Sequence, residues 1–271
     1  MSSRINILVS TINKGICHLD QLFLKQREDV SYIVSHQYTD EQYLTTPDFL
    51  MREDVLVSHI PGSGVTKSRN NAIKLATAEI SVIADDDVRY KDEWIDMLKN
   101  TFNADPELDM AIFKIKTLDG EPDYRAYPSA PAEFKELSSV CSIEIAFRTA
   151  RLKELNLNFD ERFGVGSKLL IGSEERIFMH DCVKAGLKIK YFPEYLVQHP
   201  YLSTVKAIPK YDSRLNRITG AIDARINGWV ALPKSIFGTF KNAIDIIAHK
   251  KNPLNYFFHR FYAALYILIT K

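Results

Sequence analysis

The chain has 271 residues, of which 46% are hydrophobic and 25% are charged. This composition suits one large α/β domain, or a domain of roughly 200 residues with an appendage, and excludes a disordered chain. Three widely spaced cysteines exclude a disulfide framework and a zinc pattern and favour a reducing, cytoplasmic location. We expect no secretion signal, because the N-terminus lacks the long apolar core of one. We also expect no membrane-spanning helix, because the longest apolar run, residues 261–269, is far shorter than the ~20 residues needed.

The formal net charge of +1 is unevenly distributed along the chain. Residues 201–271 hold eleven Lys and Arg against three Asp, whereas the preceding 200 residues carry an excess of acidic side chains. A basic, aromatic tail on an acidic body indicates contact with an anionic surface, either membrane lipid or nucleic acid. Nucleic acid is the weaker of the two, because the acidic body would repel a phosphate backbone, so we expect no nucleic-acid partner.

Apolar runs and helical periodicities alternate along most of the chain. The predicted strands are residues 5–10, 30–34, 55–60, 80–84, 109–117, 139–147, 189–192 and 195–199. The predicted helices are residues 19–26, 65–77, 91–103, 149–155, 173–186, 213–226, 234–249 and 253–270. This order predicts an α/β fold, with a mostly parallel, Rossmann-like sheet flanked by helices in residues 1–200 and a helical appendage in residues 201–271.

Three consecutive aspartates, Asp85, Asp86 and Asp87, follow the buried strand at residues 80–84. Side chains alternate along an extended chain, so Asp85 and Asp87 face the same way and repel each other unless a cation lies between them. Mg²⁺ or Mn²⁺ binds one or two carboxylates together with substrate phosphates, so this strand end is a candidate metal and nucleotide site. A solvated acidic loop is the alternative interpretation.

Two further segments offer groups for catalysis or for binding an anion. A glycine-rich turn at residues 61–64 opens a helix that carries Arg69, and free backbone N–H groups there suit an anion. Glu174 and Glu175 lie in the first turn of another helix, where they either complement the helix dipole or accept a proton from a substrate hydroxyl. His199 follows the last strand and is either a ligand or a core histidine.

Three stretches together resemble the family 2 glycosyltransferases of GT-A fold. Residues 64–77 joined to Ile83-Ala-Asp-Asp-Asp-Val resemble the family's Arg-Asn helix running into its Asp-x-Asp strand. Glu174-Glu175, with Gly186 eleven residues after Glu175, resembles the spacing of its Glu-Asp motif, and His199 is placed like a histidine that completes the metal site in some relatives. The resemblance covers roughly residues 4–200.

This resemblance implies an inverting enzyme that transfers a sugar from a nucleotide-diphosphate sugar, with a UDP-sugar as the first choice, in bacterial surface polysaccharide synthesis. It implies that Asp87, with Asp85 and His199, holds Mg²⁺ or Mn²⁺ and that Glu175 is the catalytic base. Asp86 would face the sugar or ribose. The acceptor would be a glycan or a lipid-diphosphate-linked sugar.

The same resemblance places Thr11 and Asn13 against the nucleotide, although an ordinary strand-to-helix turn has the same residues. Arg69 would reach the diphosphate or form a salt bridge inside the fold. The chain departs from the family at two places: the family usually has Asp where Glu175 stands, and it often has an Asp-rich turn where this chain has Ser35-His36-Gln37.

Two other functions remain open from the sequence. A nucleotidyltransferase that makes nucleotide sugars also needs an acidic strand end, but the turn at residues 11–15 does not look like its glycine-rich signature. A non-catalytic subunit of a polysaccharide-assembly complex would have the same fold without turnover. The aromatic tail either lies on the inner face of the cell membrane as a peripheral anchor or packs against the body or a second subunit.

Overall fold

The computed structural model describes residues 4–134, 140–201 and 208–270. Contacts between residues divide the chain into two compact units. The sheet unit comprises Met1–Phe159 and Phe178–Tyr201, and the helical unit comprises Asp160–Ile177 and Leu202–Lys271. The sequence places a boundary at residue 200. The observed division differs in that residues 160–177 group with the C-terminal helices.

The described residues of the sheet unit form one eight-stranded sheet in the order β3-β2-β1-β4-β7-β5-β8-β6. Its strands are β1 Ile5–Ile12, β2 Val30–Tyr38, β3 Val55–Pro61, β4 Ile80–Asp85, β5 Met110–Lys116, β6 Ala132–Glu133, β7 Ile145–Arg148 and β8 Ile189–Gln198. Strands β7 and β6 run antiparallel to their neighbours, and the other strand pairs are parallel. The sheet is therefore mostly parallel, as the alternation of strands and helices predicts.

Both faces of the sheet are covered by apolar side chains. Along β1, Ile5, Ile7 and Val9 belong to one buried cluster, while Leu8 belongs to the other. Helices of the first 159 residues are α1 Val65–Leu75, α2 Asp92–Ala104 and α3 Thr149–Glu154. Burial on both faces explains why the strands are near-continuous apolar runs.

The predicted helix at residues 19–26 is wrong, because the structure has a 3₁₀ helix at Asn13–Gln21 instead. Ile16, Leu19 and Leu22 are buried and lie three residues apart, which is the period of a 3₁₀ helix. The turn begins at Asn13, whose backbone is left-handed with φ of 51°. Its tighter winding brings the segment close to the end of β1.

Two predicted strand boundaries also change. Within residues 139–147, a 3₁₀ helix at Ser142–Glu144 precedes the short strand β7, and residue 139 lies outside the described residues. The two strands predicted at 189–192 and 195–199 form the single strand β8, which contains Pro193. Its register against β5 shifts near this proline, because proline cannot donate a ladder hydrogen bond.

Helix α4, Glu174–Lys184, has residues in both units. Gly186 stops the helix, as predicted. This glycine has φ of 80°, and its N–H donates to the carbonyl of Val183. The N–H of Leu187 donates to the carbonyl of Cys182, which completes a Schellman motif. Ser173 has φ of 66°, unlike the extended backbone of a typical N-cap.

The helical unit contains α5 Ser213–Asn227, α6 Ala231–Ala248 and α7 Pro253–Ile269. Phe163, Leu170 and Ile177 share its apolar core with residues of α5 and α7, which explains why residues 160–177 group here. Arg162 donates to the carbonyl of Thr270 at 2.6 Å. Among the described residues, no helix combines the length and apolar composition needed to cross a bilayer.

Candidate active site

Strands β1 and β4 flank a topological switch point in the sheet. The chain leaves β1 toward β2 and β3 and then returns to form β4 on the other side of β1. Open α/β sheets bind ligands beside such a point, at the carboxyl ends of the strands. Thr11 near the end of β1 and Asp85 to Asp87 at the end of β4 therefore occupy the expected location.

Thr11 and Asp86 join the two strands across this switch point. Thr11 Oγ1 donates to Asp86 Oδ2 at 2.7 Å. Burial raises the pKa of Asp86, the Thr11 hydrogen bond opposes that rise, and the charges of Asp85 and Asp87 add to it. Gly15 packs against this pair: a Cβ at that position would lie 2.5 Å from Asp86 Oδ2 and closer still to Thr11 Oγ1. A side chain at residue 15 is incompatible with this hydrogen bond.

If the donor implied by the sequence resemblance binds here, Gly15→Ala should weaken its binding more than it lowers stability. The added methyl group must displace Thr11 or Asp86, and overpacking of this kind costs about 1–3 kcal/mol. If that free-energy cost appears in binding rather than in folding, the dissociation constant of the nucleotide sugar rises by roughly 10-fold or more. Calorimetric titration of the variant and of Gly238→Ala, where the nearest atom to an added Cβ lies at an ordinary 3.5 Å, separates this effect from loss of a glycine as such. Equal affinities for the Gly15→Ala variant and the unmodified protein would contradict the placement of the donor here.

Asp85 forms an ion pair inside the sheet unit. Arg69 Nη2 donates to Asp85 Oδ1 at 2.9 Å and to Ser142 Oγ at 2.7 Å. The Arg69 guanidinium is buried and also lies over the ring of Phe159. Of the two alternatives for Arg69, the structure shows the salt bridge inside the fold. This salt bridge places a fixed positive charge beside the acidic strand end.

Asp87 lies beside His199, with 3.3 Å between Asp87 Oδ2 and His199 Nε2. A two-way backbone bridge between Arg89 and Gln198 brings these distant segments together, with both N–H···O distances at 2.9 Å. Burial disfavours the charged forms of Asp87 and His199, but the attraction between the two charges outweighs this effect of burial. The pKa of Asp87 is therefore lowered and that of His199 is raised. Asp87 and His199 therefore stabilise each other when the carboxylate is ionised and the imidazole is protonated.

The donor set at this edge fits a divalent cation in part. His199 Nδ1 donates to the carbonyl of Pro200 at 2.5 Å, which leaves Nε2 as the ligand atom of the neutral ring. Asp87 adds a carboxylate oxygen, but Asp85 is engaged by Arg69. Within the described ranges no group of three or more His, Cys, Asp or Glu is arranged to hold a metal. Asp87 and His199 therefore fit Mg²⁺ or Mn²⁺ only together with water or substrate phosphate oxygens.

Two buried polar atoms near this edge belong to residues that were given no binding role from the sequence. Ser10 Oγ and Gln37 Nε2 have no hydrogen-bond partner among the residues that the structure describes. Ser10 pairs in register with Asp85, and Gln37 lies near the end of β2. Buried polar groups usually have partners, so these two atoms are candidates for ligand contacts. The only signal in the sequence was a polar pair after an apolar strand.

Asn13 is held by the fold through both its side chain and its backbone. Its side-chain oxygen accepts from the backbone N–H of Thr39 at 2.9 Å. Its backbone carbonyl lies 2.9 Å from His36 Nε2, and His36 Nδ1 lies 2.8 Å from His59 Nδ1. His59 Nε2 in turn contacts Thr46 Oγ1 at 3.0 Å. With both rings neutral, one proton arrangement satisfies all three ring contacts: Thr46 donates to His59, His59 to His36, and His36 to Asn13.

We expect the contribution of His36 to stability to fall as pH drops through the range in which unfolded histidine takes up a proton, near 6.5. Burial lowers the pKa of His36 in the folded state, so this residue favours the unfolded chain below that pH. His36 should therefore make the melting temperature rise with pH between about pH 5 and 7.5, whereas His199, whose pKa is raised, contributes with the opposite sign. The slope of melting temperature against pH should change in His36→Gln, which removes this contribution, but not in His18→Gln, which replaces an exposed histidine. Identical slopes in all three proteins would contradict the assignment.

The loop between β5 and β6, residues 117–131, is anchored to a buried acid. Tyr127 Oη donates to Glu144 Oε1 at 2.6 Å, and Arg125 Nη2 donates to Glu144 Oε2 at 3.0 Å. The ring edge of Tyr124, from the same loop, meets His199. Glu144 was not singled out from the sequence, because its partners lie almost 20 residues away. It gives the loop a defined position beside His199.

Glu174 and Glu175 lie in the first turn of α4, as predicted. Glu174 is buried and Glu175 is half-buried. Both belong to the part of α4 that groups with the helical unit. The role of Glu175 as a base remains a prediction.

The comparisons with known proteins bear on the fold. No family model matches the chain, and no curated protein matches it in sequence. A crystal structure of S. aureus TarS residues 1–349 matches with a TM-score of 0.57 and 17% identity, covering 82% of this chain and 65% of that one. The same fragment in complex with UDP-GlcNAc matches with a TM-score of 0.58 and 16% identity, covering 84% of this chain and 69% of that one. A longer TarS structure matches with a TM-score of 0.57 and 19% identity, covering 88% of this chain and 43% of that one.

This chain thus spans less than two thirds of the first of these structures and less than half of the longest. At these identities the likeness shows the fold alone. It confirms the predicted fold class, a GT-A-like α/β sheet flanked by helices with further helices at the C-terminal end.

Proposed function

We propose that this GT-A-like chain is a glycosyltransferase that moves a sugar from a nucleotide-diphosphate sugar to a hydroxyl group. One observation carries the proposal: Thr11, Asp86 and the Asp87–His199 pair converge at the carboxyl ends of the strands beside the switch point. TarS, which has the same fold, has been crystallised with UDP-GlcNAc. A uridine diphosphate sugar is therefore the first donor to test.

The residues at this edge suit a ligand with a diphosphate. Arg69 supplies a fixed positive charge behind Asp85, and Ser10 Oγ is a free hydroxyl in the same register. Asp86, fixed by Thr11, offers its second carboxylate oxygen to the sugar or ribose hydroxyls. Charge-assisted hydrogen bonds of this kind fix orientation as well as affinity.

Transfer with inversion is a single displacement at the anomeric carbon. The acceptor oxygen forms the new bond as the bond between the anomeric carbon and the phosphate oxygen breaks, and the electron pair leaves with the nucleotide diphosphate. Glu175 takes the proton of the acceptor hydroxyl. Mg²⁺ or Mn²⁺, held by Asp87 and His199, would neutralise charge on the departing diphosphate. The acceptor we propose is a glycan or a lipid-diphosphate-linked sugar.

The proposal is tested by mixing the protein with a panel of nucleotide sugars and Mn²⁺ and measuring both thermal stabilisation and release of nucleotide diphosphate. We expect one donor to raise the melting temperature and to be hydrolysed slowly, with loss of hydrolysis after addition of EDTA. Binding without any release, even with glycan acceptors present, would instead indicate a non-catalytic subunit. Release of pyrophosphate from a nucleoside triphosphate and a sugar phosphate would indicate a nucleotidyltransferase.

A further inference from the structure

Helix α6 has four large apolar side chains on the outside. Phe237, Phe240, Ile244 and Ile247 are 73%, 77%, 87% and 61% exposed. They recur at intervals of three or four residues, so they lie on one face of the helix. A surface helix of a protein in water shows the opposite arrangement, with its apolar stripe facing the core.

The inward face of α6 carries small or polar side chains together with the fully buried Ile246. Ala231 and Ser235 are fully buried, and Ser235 Oγ donates to the Ala231 carbonyl at 3.0 Å. Gly238 is close enough to Arg260 that an added Cβ would lie 3.5 Å from its Nη1. The helix thus packs through Ala231, Ser235 and Ile246, and this register leaves its phenylalanines exposed.

Helix α7 and the turn before α6 extend the apolar surface of this unit. Leu254, Phe258, Tyr262 and Ile269 are exposed at a spacing that places them on one face of α7. Trp229, just before α6, is also exposed. We call the outward residues 229, 237, 240, 244, 247, 254, 258, 262 and 269 the apolar face of the helical unit.

Positive charge accompanies this apolar face. Lys234 and Lys241 are seven residues apart and lie on the same side of α6 as Phe237 and Ile244. Neither lysine forms an ion pair with a residue that the structure describes. Helix α7 contains no acidic residue, and the one acid of α6, Asp245, is paired with Lys210 at 2.6 Å.

We propose that the apolar face docks on the surface of an anionic lipid bilayer. Apolar and aromatic side chains would enter the boundary between headgroups and acyl chains, while Lys234 and Lys241 contact the anionic headgroups. Trp229 and Tyr262 are residue types enriched at that depth. The arrangement fits a helix pair that lies on the membrane, and neither helix is long and apolar enough to span it.

A second copy of the chain is the rival occupant of this face. A two-fold symmetric interface would bring the same patch of each copy together, so the unpaired lysines of one copy would meet those of the other. Like charges facing each other oppose association. Charge complementarity therefore favours an anionic surface over self-association.

The test is co-sedimentation of the full chain with vesicles of phosphatidylcholine containing about 30% phosphatidylglycerol, and with vesicles of phosphatidylcholine alone. We expect binding to the anionic vesicles that weakens with added salt and is at least about 10-fold weaker on the neutral ones. Lys234→Gln with Lys241→Gln should lower anionic partitioning by about 25-fold, since each lysine contributes about 5-fold. Phe237→Ser with Phe240→Ser should lower it at least roughly 10-fold.

Met51→Ser is the matched control, because Met51 of the sheet unit is also 73% exposed. It should leave vesicle binding unchanged. Melting temperatures of all variants show that each is folded. In a Trp94→Phe background, the fluorescence of Trp229, then the remaining tryptophan, should shift to shorter wavelength with anionic vesicles and not with neutral ones.

Three results would overturn the proposal. One is the absence of sedimentation of the unmodified chain with anionic vesicles at millimolar lipid. Another is unchanged binding after both phenylalanines are replaced. The third is a dimer, measured by light scattering, that dissociates in the Phe237→Ser, Phe240→Ser variant and does not bind vesicles. None of these results bears on donor binding, which is measured without lipid.

Discussion

Replacing Glu175 by glutamine lowers kcat for sugar transfer by about 10²–10⁴-fold, the usual contribution of a general base. The amide is similar in size but cannot accept the proton of the acceptor hydroxyl. Donor affinity should be nearly unchanged, since the base acts on the acceptor. Steady-state kinetics with a saturating acceptor, together with donor titration, measures both quantities.

Two further variants distinguish a base from an acid that only complements the helix dipole. Glu175→Asp keeps a carboxylate, one methylene shorter, and should restore part of the activity that Glu175→Gln loses. A dipole role predicts instead that Glu175→Gln costs only about 0.3–1 kcal/mol of stability and has no specific effect on kcat. Full turnover by Glu175→Gln would exclude Glu175 as the base.

Replacing Asp87 by asparagine should have an effect of similar size for a different reason. The variant loses the negative charge beside His199 and a carboxylate ligand for the cation that neutralises the leaving diphosphate. That charge stabilisation is worth several kcal/mol, so kcat/KM for the donor should fall roughly 100-fold or more. Nucleotide release at a series of Mn²⁺ concentrations measures the loss, and higher Mn²⁺ should recover part of it.

Asp20→Asn is a suitable control for Asp87→Asn, because Asp20 is exposed and belongs to the 3₁₀ helix at Asn13–Gln21. It should retain full activity. The Asp87→Asn, His199→Asn double variant should lose little more than either single variant, since the two residues act together. Additive losses, or undiminished activity of Asp87→Asn, would contradict the assigned pair.

The fold class could be predicted because each core strand is an apolar run between turn signals. Strand β4 and helix α2 match their predicted ranges to within a residue. The 3₁₀ helix at Asn13–Gln21 was missed because Leu19, Leu22 and Phe23 fit an α-helical face when Ile16 is ignored. Gly15 in this helix packs closely on Thr11 and Asp86, a contact that sequence order does not show.

The site could be predicted only in part, because its contacts join distant parts of the chain. The aspartate run is visible in the sequence, but Thr11 lies 75 residues from Asp86. From the sequence, Arg69 was assigned to the diphosphate or to a salt bridge. In the structure, the sheet register brings it into a salt bridge with Asp85. Likewise, the aromatic residues of the tail were visible, but their outward orientation depends on which other residues of the helix pack inward.

The central claim is that a nucleotide diphosphate binds where β1 and β4 diverge. A crystal structure with UDP and Mn²⁺ measures this directly. We predict that the diphosphate lies at the carboxyl ends of these strands, with Mn²⁺ bound by Asp87 and His199 and with Asp86 on the sugar side. A nucleotide bound elsewhere on the sheet unit, or no bound nucleotide at millimolar UDP, would contradict the account.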